Sequence, residues 1–108
     1  MAKYEKTIVG NFDELLMRIE NGIMQGSISA SLEERSDFRE GEARCAVRVF
    51  ERYSYTGGNR CSLSVTLFAL DGGKIHLSAI STGGSRATFF KINTLGEEAF
   101  LDKLRELV

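Results

Sequence analysis

From residue 42 to 82 apolar and polar residues alternate, with two glycine-rich breaks, and this stretch organises the chain. Odd positions carry Ala43, Cys45, Val47, Val49, Tyr53 and Tyr55, then Cys61, Leu63, Val65, Leu67 and Ala69, then Ile75, Leu77 and Ala79. Successive side chains of a strand point to opposite faces, so the pattern predicts three antiparallel strands that bury their odd residues. Keeping odd opposite odd requires paired residue numbers with an even sum. That points to three-residue loops, Gly57-Gly58-Asn59 and Asp71-Gly72-Gly73, pairing Thr56 with Arg60 and Leu70 with Lys74. Glu51 interrupts the apolar side of the first strand and hints at a bulge.

The flanks read as elements that cover one face of these strands. Residues 3–9 are β-branched toward their end and predict an edge strand. Asn11 has the character of a helix N-cap, with Glu14 at capping-box distance, and Phe12, Leu15, Leu16, Ile19 and Ile23 recur at helical spacing. The helix should end near Gln25, with Gly26 as its terminator and Gly22 an interior cost of about 1 kcal/mol. Residues 27–34 alternate as a half-buried strand. Residues 35–42 read as a polar connection with a turn at Glu40-Gly41 and with Phe38 tucked back onto the core. After Thr82 the segment up to Asn93 is ambiguous between loop and strand. Thr94 then predicts a second helix, with Leu101, Leu104 and Val108 as its stripe, flanked by Phe100 and Leu107. The expected fold is a single α+β domain over residues 1–108. It has two layers and the order β-α-β-β-β-β-α: an antiparallel sheet of four or five strands with both helices on one face.

Composition narrows the function classes without choosing one. Fourteen basic residues against fifteen acidic ones leave a net charge of −1, which argues against nucleic acid as a partner. No apolar run approaches the ~20 residues that span a bilayer, and the N-terminus lacks the apolar core of a signal peptide. The expected location is the cytoplasm, where Cys45 and Cys61 stay reduced. In the inferred register the two thiols stand too far apart to bridge. His76, the single histidine, makes no metal site by itself, and no catalytic, metal or cofactor motif is present.

Two places remain for function. The segments Thr56-Gly57-Gly58-Asn59-Arg60 and Thr82-Gly83-Gly84-Ser85-Arg86 share the pattern T-G-G-x-R, and the register sets Ser62 opposite Thr82, so both lie at one end of the sheet. Glycine loops followed by arginines offer N–H groups and guanidinium forks to a small anionic ligand held by Arg60 and Arg86, with Tyr53 or Tyr55 beside it. The second place is the even-numbered sheet face, expected to carry Arg48, Phe50, Phe68, Leu70, His76 and Ile80. An exposed apolar patch of this kind marks a homo-oligomer or partner surface.

The segments RVFERYSYTGGNRCSLSVTLF, LSAISTGGS and FFKINTLGEEAFLDKL together resemble a small domain family of unknown function from Gram-positive bacteria. The resemblance runs the length of the chain and implies a compact cytoplasmic bacterial protein. It brings no activity, cofactor or site residue. The leading expectation is a non-enzymatic binding protein that self-associates through the open sheet face. The alternative is an anion- or small-molecule-binding domain, or an enzyme, that uses the T-G-G-x-R end.

Overall fold

The computed structural model describes residues 1–26, 29–54, 59–83 and 100–108. Along the chain run β1 (Ala2–Val9), α1 (Phe12–Gly26), β2 (Ser31–Glu40), β3 (Ala43–Ser54), β4 (Asn59–Ala69), β5 (Lys74–Gly83) and α2 over residues 100–107. The five strands form one antiparallel sheet in the order β1-β5-β4-β3-β2. The α+β order expected from the pattern is the one adopted.

Helix α1 starts where its sequence says it should. The Asn11 side-chain oxygen accepts from the Glu14 N–H at 2.9 Å, and the Asn11 carbonyl accepts from the Leu15 N–H at 3.0 Å. Asp13 and Glu14 occupy the first turn, where the helix dipole favours negative charge. The stripe Phe12, Leu15, Ile19 and Ile23 is buried against Leu63, Val65, Leu67, Ile75, Leu77 and Ala79. Phe100, Leu101 and Leu104 of α2 bury completely in the same core. Gly22 has a packing reason: a Cβ there would collide with the methyl groups of Leu107, so α2 closes over the glycine.

Three expectations are corrected. Strand β2 spans Ser31–Glu40, so most of the supposed polar connection is strand, and Glu40 pairs with Ala43 around a turn that holds Gly41 at φ 59°. Phe38 therefore stays 67% exposed on the sheet and does not tuck back onto the core.

The larger correction concerns β3. Its pairs with β4 have an odd sum (Cys45 with Phe68, Ser54 with Asn59), in place of the expected pairing of Thr56 with Arg60. A one-residue difference exchanges the two faces of a strand. Ala46, Arg48 and Phe50 consequently lie in the core, while Cys45, Val47, Val49, Glu51 and Tyr53 turn to the other side. The β4–β5 register follows expectation, with Ser62 opposite Thr82 and Phe68 opposite His76. The two cysteines lie on opposite faces: Cys61 is buried in the core and Cys45 is half-buried on the open side.

The core-facing arginines of β3 explain why that register is stable. Arg48 is 4% exposed, and its Nε donates to Glu20 on α1 at 2.5 Å and its Nη2 to Asp37 on β2 at 3.0 Å. Its Nη1 donates to the carbonyls of Val47 and Ser36 at 2.9 and 3.3 Å. Burial alone would lower the pKa of this guanidinium, yet its hydrogen bonds to Glu20 and Asp37 outweigh that loss and hold it above its ordinary value. Four residues to one side, Arg44 pairs with Asp13 at 2.9 Å and lies 4.2 Å over the Phe12 ring. Four residues to the other, Arg52 sits 4.7 Å over Phe100 of α2, and its burial pushes its pKa down. One strand thus grips both helices.

Candidate interaction surface

Both helices lie on the face that carries Arg44, Arg48 and Arg52, so the opposite face of all five strands is left without a covering layer in the described residues. Its side chains fall into rows fixed by the strand pairing. One row runs Thr7, His76, Phe68, Cys45, Phe38 from β1 to β2. The next runs Glu5, Ser78, Thr66, Val47, Ser36, and a third runs Lys3, Ile80, Ser64, Val49, Glu34.

Phe68 stands in the middle strand of the first row and is 39% exposed. Its ring stacks on His76, with centroids 6.3 Å apart and planes at 26°. Thr7 Oγ1 lies 3.2 Å from His76 Nδ1 and anchors the imidazole from the edge strand. Phe68 also separates two hollows. One, of about 450 Å³, is lined by Thr7, Thr66, Phe68, His76 and Ser78 among others. The other, of about 310 Å³, is bounded by Phe38, Arg39, Ala43, Arg44, Cys45 and Phe68 among others. Leu70, just past β4, borders a further hollow with Lys74 and His76.

This surface suits non-covalent contact. Cys45 and His76 share a row but sit two strands apart, about 9.6 Å, with Phe68 between them, so thiol and imidazole make no dyad within one chain. Among the described residues, no three His, Cys, Asp or Glu side chains converge as metal ligands. No described helix is long and apolar enough to cross a membrane.

Of the six residues expected on this face, Phe68, His76 and Ile80 lie on it, with Leu70 at its margin. Arg48 and Phe50 do not, because the β3 register turns them into the core. Their places are taken by Cys45, Val47 and Val49, joined by Phe38 from β2. The signal that would have found Phe38 is the two-residue turn at Gly41-Glu42, which extends β2 back through Ser36 and Phe38. Of the proposed anion site, Tyr55, Gly57, Gly58, Gly84 and Arg86 lie outside the described residues. Gly83 pairs with Cys61 at the end of β5. Arg60 projects from β4 and donates to Glu51 at 3.1 Å.

The family model for DUF6054, a family of unknown function, matches residues 1–108. The chain belongs to that family. No curated protein and no solved structure matches it. Membership of DUF6054 spans every element described above, so the clamped arginine strand and the open face both lie within the family's domain.

Proposed function

We propose that this DUF6054 chain is a non-enzymatic interaction protein that associates with a second copy of itself through the open sheet face. The observation that carries the reading is Phe68: a large aromatic residue on the middle strand of a five-strand face that neither helix covers, with Cys45 beside it, Phe38 beyond Cys45 in the same row, and Val47 and Val49 further along β3. Large exposed apolar side chains on an uncovered sheet face are a mark of a docking site. The β2 edge of the sheet offers a poorer route to assembly. β2 carries Glu33, Glu34, Arg35, Asp37, Arg39 and Glu40 along an exposed, bulged edge, and charge and bulges both oppose strand addition.

The competing reading, an anion or small-molecule site at the T-G-G-x-R end, has less support. Arg60, the described arginine of that pair, is already bound to Glu51 and would have to release it.

Sedimentation velocity on wild type and Phe68→Glu tests the proposal. Wild type should populate a dimer in the micromolar range and the variant should stay monomeric with an unchanged far-UV CD spectrum. A wild type that remains monomeric up to millimolar concentration would rule the proposal out.

A further inference from the structure

We infer that the two copies meet about a twofold axis that runs along β4, so that each row of the open face lies on its own copy in reverse. The inference rests on the self-association reading above and adds the arrangement. Strand β4 is the third of five, and an axis along it lays β1 over β2 of the second copy and β5 over β3. Phe68 then meets Phe68 and Thr66 meets Thr66 on the axis. Ile80 meets Val49 of the second copy, and the long His76 meets the short Cys45.

Charge selects this arrangement. The third row begins with Lys3 on β1 and ends with Glu34 on β2, so reversal sets Lys3 against Glu34 of the second copy, twice per dimer. Arg60, near the end of the axis, enters already neutralised by Glu51. An axis across the strands through the Thr66 row does the reverse: it places Glu5 on Glu5 and Glu34 on the apolar Phe38. Shifting that axis to the Phe68 row pushes the Ile80–Val49 row past the β4–β5 turn and leaves it bare.

Size agrees as well. Five strands about 4.8 Å apart and about nine residues long give a face of about 700 Å², or about 1,400 Å² buried by two copies, within the range of stable specific interfaces. Aligned sheets pack at about 30° to one another, which tilts the axis about 15° off β4, and the displacement of about 5 Å that this gives at β1 and β2 lies within the reach of a lysine side chain.

Charge reversal decides it. Lys3 and Glu34 are both exposed, so Lys3→Glu, Glu34→Lys and the double variant should all fold, which thermal unfolding verifies. In sedimentation equilibrium each single variant should weaken the dimer about tenfold, since two symmetry-related pairs turn from attraction to repulsion, and the double variant should recover wild-type affinity. If Phe68→Glu abolishes the dimer while the charge variants leave it unchanged or the double variant fails to recover, the axis is wrong and self-association stands. If wild type is monomeric, both fall together.

Discussion

Replacing Arg48 with methionine tests the β3 register directly. The substitution keeps the apolar stem and removes a guanidinium that makes four hydrogen bonds, two of them to carboxylates on different elements. Removing one partner of a buried ion pair costs about 3–5 kcal/mol, because the other charge is left without compensation. Here the stranded acids keep some water: the side chains of Glu20 and Asp37 are 26% and 52% exposed. The loss should therefore fall at the low end, about 3 kcal/mol. With a urea m-value of about 1.5–2 kcal/mol/M, the midpoint moves down by about 2 M, read by far-UV CD at one fixed protein concentration. Adding Glu20→Met should recover part of the loss, a coupling of about 1–2 kcal/mol in the double-mutant cycle. Were Arg48 on the open face, as even-sum pairing would have it, Arg48→Met would change stability by less than about 0.5 kcal/mol. That result, or strict additivity with Glu20→Met, would refute the clamp.

Three further outcomes follow from particular contacts. Gly22→Ala should leave the thermal midpoint nearly unchanged, because a helix gain of about 1 kcal/mol is offset by displacing Leu107; in a Leu107→Ala background the same change should stabilise by about 1 kcal/mol. Asn11→Ala removes the acceptor for the Glu14 N–H and should cost about 1 kcal/mol in urea unfolding, a loss that Asn11→Asp avoids. Native protein treated with iodoacetamide and mapped by mass spectrometry should be alkylated at Cys45 and spared at Cys61, which is buried in the core. Labelling of Cys45 should slow as protein concentration rises, and equal rates at both thiols would contradict the face assignment.

Much of this protein was determined by sequence alone, wherever the deciding interaction is local. The Asn11 cap, the α1 stripe, the apolar positions of α2 and the β4–β5 register all depend on residues near one another in the chain, and each is where its pattern put it. So is Phe68, the exposed aromatic residue on the middle strand of the candidate surface. The facing of β3 was decided only by the tertiary structure. Its two sides are almost equally apolar, with Cys45, Val47 and Val49 against Ala46 and Phe50, and the arginines on the even side weigh toward solvent in any alternation count. What reverses that weight is long-range: Glu20 comes from 28 residues away on α1 and Asp37 from 11 away on β2, and together with two carbonyls they satisfy a charge that could not otherwise be buried. Burying Arg48 carries Phe50 inward and turns Cys45, Val47 and Val49 outward. The open face therefore owes Cys45, Val47 and Val49 to an ion pair on the other side of the sheet.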